Sequence, residues 1–377
     1  MDTPRQGSDR ILLLSVILLM VFGILAVYSS IAYFAEMKGT TAGSLVSGHL
    51  VKVMIAFVVI LIVSKVDYRV IARYSRVALL LSWLLLIVVM FHGDLVFGAR
   101  RSLSVGAFSF QPSSLAAVSL LIHVSVLLFE KQEYIKDFHR TFLPIIFWVT
   151  ITCALIGVED FSTAGLLMGI CLLLMFIGRV SVIHIGALLL IGLLGAGLLI
   201  QSSVERQSRV QQYVAQVTDI NSSTLESGAG YQAQQSYIAI AQGKLFGVGI
   251  GKSTQRDFLP APYNDFIFAI IAEEYGMFGS VMVILLFSVI LLRGIAFIAR
   301  VSEDVLATLM ATSCALMIAL YGYINAAVAS GLLPVTGLPM PFVSYGGTSM
   351  LFTGVMVGIL LNISKQNRHH ANRFYMG

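Results

Sequence analysis

The stretch that decides the architecture is FIFAIIAEEYGMFGSVMVILLFSVILL, Phe266 to Leu292. Its length exceeds the ~17–25 residues a helix needs to cross a hydrocarbon core, and its only charges are Glu273 and Glu274. A carboxylate facing lipid is strongly disfavoured, so at least one of the two must face protein or a water-filled pocket. Asn264 and Asp265 stand at the mouth of the run, where either could cap the helix. Helical geometry sets Glu273 about 80° around from Asp265 and ~12 Å deeper, with Glu274 on the opposite face. Arg293, at the far end, is too distant for easy pairing, so the alternative for the glutamates is internal hydrogen bonding.

Outward from this run the chain repeats the pattern. Of its 377 residues 58% are hydrophobic and 11% charged, against roughly a quarter charged in soluble domains. Membrane-length apolar segments fall near 11–33, 47–64, 76–92, 113–129, 142–158, 164–178, 183–200, 266–292, 304–329 and 346–364, the sixth short and the eighth long. The expected fold is an all-α polytopic membrane protein of about ten transmembrane helices, with one long structured extracytoplasmic loop between the seventh and eighth. The first run, ILLLSVILLMVFGILAV, is longer than the ~7–15 residues of a signal-peptide core and reads as a retained helix. No soluble domain remains: 1–377 is one membrane domain, with 1–10 as N-terminus, 201–264 as the large outer loop and 365–377 as a basic tail.

An even number of crossings leaves both termini on one side. About 15 of the 24 basic residues gather in the N-terminus, the loops near 65–76, 130–141, 179–182 and 293–303, and the tail, which marks these as cytoplasmic. The opposite short loops hold Lys38, Arg100 and Arg101, and the long loop 201–264 carries five more, including Lys252 and Arg256; long loops obey the charge rule weakly. The net charge of +5 is then a topology signal beside anionic lipid, and nucleic acid is not an expected partner. Cys153, Cys171 and Cys314 fall in apolar spans without metal-ligand spacing. His369 and His370 lie in the basic tail and read as solvated.

The loop 201–264 is too long to be a plain connection. SRVQQYVAQV places Val210, Tyr213, Val214 and Val217 at helical spacing, and YQAQQSYIAIAQG, Tyr231 to Gly243, reads as a short helix with Ile238 and Ile240 available for burial. GVGIGKST, Gly247 to Thr254, resembles a phosphate loop, but the Walker pattern requires Gly at 246, which is Phe. Its glycines and Lys252 leave two readings, a headgroup phosphate site and a tight turn. In FGARRSLSVGAFSFQPSS the Arg100 and Arg101 guanidinium groups could fork onto a diphosphate or snorkel as interfacial anchors. Glu159 and Asp160 sit at an outer turn where capping is the ordinary role. GLLPVTGLPMPFVSYGGTS is non-helical and suggests a cavity wall.

An outer-face acid in a lipid-embedded cavity, with cations and glycines around it, suits a sugar carried on a polyprenyl diphosphate. Once cations neutralise the leaving diphosphate, an inverting transfer needs only a base for the acceptor hydroxyl. Partial desolvation would raise the Asp265 pKa toward usefulness.

At these residues the chain resembles the SEDS family (shape, elongation, division and sporulation), the polytopic peptidoglycan glycosyltransferases typified by FtsW and RodA. Six motifs carry the resemblance in order: GARR with FSFQPS at 98–113, DFSTA at 160–164, YQAQQSYIAIAQG at 231–243, GVGIGKS at 247–253, LPAPYNDFIFAIIAEEYG at 259–276 and TGLPMPFVSYGGTSM at 336–350. The resemblance implies a ten-helix fold in the bacterial cytoplasmic membrane with both ends cytoplasmic. It implies polymerisation of lipid II with release of undecaprenyl diphosphate, Asp265 as general base, and a divalent cation, Mg2+ or Mn2+, on the diphosphate. The implied partners are lipid II, a class B penicillin-binding protein and other divisome membrane proteins. Candidate substrate-binding residues in these motifs are Arg100, Arg101, Gln111, Gln235, Lys252, Ser253, Ser344 and Tyr345.

The chain departs from the family pattern at several places. Ser114 and Ala117 stand where many relatives carry Glu and Lys; Val158, Glu159 and Ser162 alter a second motif, and Asn264 replaces Thr or Ser. VYSS and STQRDFLPAPYNDF look more like the division type, FtsW, than the elongation type, RodA. The rival functions are a lipid II transporter, motivated by the intramembrane Glu273 and Glu274, and a non-catalytic scaffold for the penicillin-binding protein.

Overall fold

The computed structural model describes residues 9–31, 41–96, 99–105, 108–218, 228–259 and 262–375, so Lys38 lies outside the described residues. Helix α1 (Arg10–Ser30) starts at Asp9, whose carboxylate accepts from the Ile11 and Leu12 amides at 3.1 and 3.0 Å. Helix α2 (Ala42–Val63) is capped by Thr41, and α3 (Tyr68–His92) by Asp67. Helix α3 begins eight residues before the apolar run at 76, because the Asp67 cap and Arg69, Arg73 and Arg76, all helix-compatible, extend it. Those bases ride its first turns rather than a loop.

The connection between α3 and the next helix departs from the all-α expectation. Strands β1 (Asp94–Val96), β2 (Ala99–Val105) and β3 (Phe108–Phe110) form a small antiparallel sheet in that order, with Leu95 opposite Arg100 and Leu103 opposite Phe110. Alternating apolar and polar residues such as Leu103, Ser104 and Val105 are strand-like, and a length filter for spans does not register so short a pattern. Helix α4 (Pro112–Glu130) follows, with proline at its first position, where the missing N–H costs no bond.

Helices α5 (Leu143–Glu159), α6 (Phe161–Ile177) and α7 (Val182–Gln201) then run back and forth. The outer loop contributes α8 (Val204–Thr218) and α9 (Gly228–Gly243). In α9 the buried face is Ala233, Ser236, Ala239 and Gly243, small residues that admit close approach to the neighbouring helix; Ile238 stays exposed and Ile240 is partly buried. Helices α10 (Ile267–Leu292), α11 (Val305–Ala329) and α12 (Gly347–Tyr375) complete the chain. Among the described residues nine helices are long and apolar enough to cross a membrane. The seventeen-residue α6 is shorter but equally apolar, and α10 continues through a π-turn so that its apolar span runs from Ile267 to Ala299.

Helices α4, α11 and α12 form the buried centre, whereas α7 at the rim exposes Ile183, Leu190, Leu194 and Leu198 as a lipid-contacting helix would. Polar ties define one face of the bundle. Asp9 pairs with Arg293 beyond the end of α10, Arg69 pairs with Asp304 before α11 at 3.1 Å, and Asn362 of α12 donates to the Ser64 carbonyl at 3.1 Å.

Candidate active site

At the opposite face the chain from 244 to 265 leads into α10. Gly276 breaks that helix (φ 66°, ψ −160°), a conformation suited to glycine. The backbone of 244–249 packs into the break: Val248 N donates to Glu273 O at 2.9 Å, Gly249 N to Glu274 O at 3.1 Å, and Met277 N to Lys244 O at 2.9 Å. A Cβ on Gly247 would lie 2.1 Å from the Glu274 carbonyl oxygen, so only glycine fits. Tight packing against α10 accounts for the first glycine of GVGIGKS, while Gly249 and Gly251 turn the backbone at φ 105° and 76°.

The same clasp disposes of the two glutamates. Glu273 is fully buried and accepts from Thr254 N at 2.9 Å, Thr254 Oγ1 at 3.1 Å and the Ser253 hydroxyl at 2.5 Å. Glu274 accepts from the Ser29 hydroxyl of α1 and from Ser253 N at 3.4 Å. Arg256 adds donation from its guanidinium to Ser29 O at 2.9 Å, binding the clasp to α1. Glu273 is thereby satisfied on both oxygens, as a structural carboxylate is, whereas Glu274 is held through Oε1 alone and its Oε2 is buried without a partner.

Asp265 is arranged differently. The first-turn partner expected of a cap is missing: the helix cap is Phe266 and has no side-chain hydrogen bond. Asp265 Oδ1 is buried without any hydrogen-bond partner. The carboxylate borders a cavity of about 900 Å³ that opens on this face. Burial pushes its pKa up from 3.8 to about 6, opposed by the charges of Arg101 and Arg209 and aided by that of Asp160. A carboxylate held half-ready to take a proton near neutrality is what a general base requires. Neighbouring Tyr263 is driven up to about 12 by burial and by Asp265, which keeps its phenol protonated.

The backbone around Asp265 is fixed from two sides. Asn325, buried in α11, donates from Nδ2 to Asp265 O at 3.0 Å and to Leu338 O at 2.8 Å, joining the acid-bearing turn to the 331–346 loop. Ser344 Oγ donates to Asn264 O at 2.7 Å, and Tyr345 N donates to Tyr263 O at 2.9 Å. The proline- and glycine-rich loop thus forms a wall of the cavity, and a Cβ on Gly337 would stand 3.6 Å from Asp265 Oδ2.

The cavity brings together Asp265, Arg101, Gln111 and Tyr345 of the residues expected from sequence. Arg101 donates from Nε to Glu159 O at 2.9 Å, and Gln111 reaches Asp160 at 3.5 Å. Arg100 is in β2, and its side chain lies outside the described residues. Four others stand away from the cavity lining. Lys252 is exposed at the clasp, Ser253 is consumed by Glu273, Gln235 is half-buried on α9, and Ser344 ties the turn together. The sequence reading did not single out Lys52, Glu205, Arg209 and Tyr263, which border the cavity. Lys52 had a legible signal, a lone lysine inside an apolar span; Arg209 and Glu205 had none, since α8 reads as an ordinary amphipathic helix.

Asp160 combines two roles. Its carboxylate caps α6, accepting from Thr163 N at 3.1 Å and Thr163 Oγ1 at 2.8 Å, and it borders the cavity. Among the described residues no group of three or more His, Cys, Asp or Glu side chains could hold a metal unaided. Mg2+ needs only one or two carboxylates when substrate phosphates supply the other oxygens, so Asp160 fits such an ion together with a bound diphosphate.

A family model described as "Cell cycle protein", of the FtsW, RodA and SpoVE proteins, matches residues 9–369. The chain belongs to this family, the SEDS proteins. It is 35% identical over 373 residues to stage V sporulation protein E of Bacillus subtilis (strain 168), covering 98% of this chain and 100% of that one. It is 30% identical over 367 residues to a probable peptidoglycan glycosyltransferase FtsW of Geobacter sp. (strain M18), covering 96% and 98%. In fold it is similar to a chain from a peptidoglycan synthase complex solved for the structural coordination of polymerization and crosslinking (TM-score 0.74, 22% identity, 96% and 98% covered). The rod shape determining protein RodA of Thermus thermophilus is also similar (TM-score 0.69, 21% identity, 96% and 97% covered). In this SEDS chain the two departures on α4 lie apart. Ser114 borders the cavity, while Ala117 is buried in the helix packing.

Proposed function

We propose that this protein is a peptidoglycan glycosyltransferase that polymerises lipid II with release of undecaprenyl diphosphate, and that Asp265 is its general base. The observation that carries the reading is the carboxylate itself. It is buried on one oxygen, unpartnered, titrates near 6 and borders a large cavity with cations on its rim. Relatives at 30% identity named as probable peptidoglycan glycosyltransferases support the activity.

In the step proposed, Asp265 takes the proton of the acceptor hydroxyl as that oxygen attacks the anomeric carbon of the donor. The bond from that carbon to the diphosphate oxygen breaks, and its electron pair leaves with the diphosphate. Arg101 and Arg209 border the cavity and supply positive charge where negative charge develops. A divalent cation held by Asp160 and the substrate phosphates would add to that neutralisation when bound.

The partner proposed is a class B penicillin-binding protein, supported by the fold likeness to a chain of a synthase complex that coordinates polymerization with crosslinking. We place both termini in the bacterial cytoplasm on the strength of the basic face, and assign the division branch on VYSS and STQRDFLPAPYNDF, with relatives named FtsW in support. The deciding experiment is polymerisation of purified lipid II by wild type and Asp265→Asn, each co-purified with its penicillin-binding protein whose crosslinking is blocked. Loss of glycan strands in an intact complex is expected. Equal strand formation by both would move the chemistry elsewhere and leave a transporter or scaffold.

A further inference from the structure

Lys52 is a cation in an unusual position. It follows Ala42 by ten residues on α2, ~15 Å along the helix axis, near the middle of an apolar span rather than at an end from which it could snorkel to water. It borders the cavity. Its stem lies along the start of α12, where a Cβ on Gly347 would stand 3.4 Å from Lys52 Cδ. Its amine sits 4.0 Å from the centroid of the Tyr345 ring, and that ring also stacks on His49 at 5.4 Å.

The three cavity cations are not equivalent. Arg209 is paired with Glu205 at 2.5 Å, and Arg101 donates to the Glu159 carbonyl. Among the described residues no carboxylate lies within ion-pairing distance of Lys52. The Tyr345 ring holds the ammonium by its π face without occupying a hydrogen-bond acceptor, so the N–H donors stay available to a ligand. A charge kept at that depth without a counter-ion is strongly disfavoured unless something anionic arrives to meet it.

The transfer chemistry says which anion. In an inverting transfer the leaving diphosphate departs on the face of the carbon opposite the attacking oxygen, and Arg101 and Arg209 are the cavity cations assigned to it above. The acceptor offers its hydroxyl to the base and carries a second diphosphate at the other end of its sugar. That second diphosphate needs a cation on a different wall. We propose that Lys52 binds the diphosphate of the acceptor lipid, an assignment that rests on the glycosyltransferase reading above.

Two measurements test it. In the complex with the penicillin-binding protein, Lys52→Gln is expected to raise KM for lipid II roughly tenfold with kcat within about twofold, and Lys52→Arg to restore most of the loss. A fall in kcat at unchanged KM, or no change in either, would overturn the assignment. The second measurement uses wild type without turnover: labelling of Lys52 by an amine-reactive reagent, read by mass spectrometry, with and without a lipid II analogue whose acceptor hydroxyl is blocked. The probe is expected to slow labelling at Lys52 about tenfold and to leave exposed Lys252 unaffected. Unprotected Lys52 refutes the phosphate subsite even if Lys52→Gln fails to fold. Protection in a wild type that makes no strands would retain the subsite and sink the transferase reading instead.

Discussion

Replacing Asp265 by asparagine is expected to remove strand synthesis and, at the same time, to make the protein more stable at neutral pH. The carboxyl goes from 3.8 to about 6 on folding, chiefly through burial. Between those values the folded state binds more protons than the unfolded state, so stability falls as pH rises through that window. A rise from 3.8 to about 6 corresponds to about 3 kcal/mol lost above pH 7, with roughly half of it still absent at pH 5. This is a ceiling, because the carboxylate borders a cavity that water can enter. Asparagine keeps the shape and carries no charge to desolvate, and Oδ1 has no hydrogen bond to lose. Thermal melting in detergent should therefore give Asp265→Asn a midpoint above wild type at pH 7.5, with the gap shrinking toward pH 5. The wild-type kcat/KM should show an acidic limb near pH 6. A variant that melts below wild type at pH 7.5, or a limb near 4, would refute the desolvation argument.

Other perturbations test neighbouring parts of the site. Asp160→Asn retains the cap on α6, since asparagine caps as well as aspartate, but removes a charge that raises the Asp265 pKa; the acidic limb should move to lower pH, read from kcat/KM profiles. Asn325→Ala deletes the bonds to Asp265 O and Leu338 O, and misplacement of the base should lower kcat by up to about 100-fold while the acidic limb holds its place. Gly247→Ala meets the Glu274 carbonyl and should lower stability by roughly 2–4 kcal/mol, seen as a reduced melting midpoint with Asp265 chemistry intact in the surviving fraction.

The spans were legible because twenty apolar residues in a row admit few structures. The position of Asp265 was legible as an acid at the mouth of such a span, but its cavity was not, because the lining comes from residues far apart in the chain. Nor was the clasp. Glycine spacing in GVGIGKS reports close backbone approach, but sequence does not say whether the approaching atoms belong to a phosphate or to the Glu274 carbonyl. The small sheet at 94–110 was missed for a different reason: three-residue strands carry too little periodicity to outweigh a reading as loop. Arg209 was hidden because its relevance comes from α8 folding over the cavity, a tertiary fact.

The three acids around α10 separate transfer from transport on physical grounds. An acid that escorts a substrate through the bilayer must exchange its partners as the substrate passes. Glu273 accepts from four donors on three consecutive residues, Ser253, Thr254 and Gln255, and Glu274 accepts from Ser29 on another helix. Releasing either would strand buried donors and open the α1–α10 contact, each lost bond costing about 1–3 kcal/mol. Asp265 differs from both in its surroundings: Oδ1 is unpartnered, as Glu274 Oε2 also is, but of the three acids only Asp265 borders the cavity of about 900 Å³. Glu273→Gln should therefore weaken the fold and lower strand yield only in proportion to the folded fraction, whereas Asp265→Asn should abolish strands in a protein that is fully folded. The reverse pattern, with strands intact in Asp265→Asn and lipid translocation lost in folded Glu273→Gln, would require the buried glutamates to be mobile and would hand the function to transport.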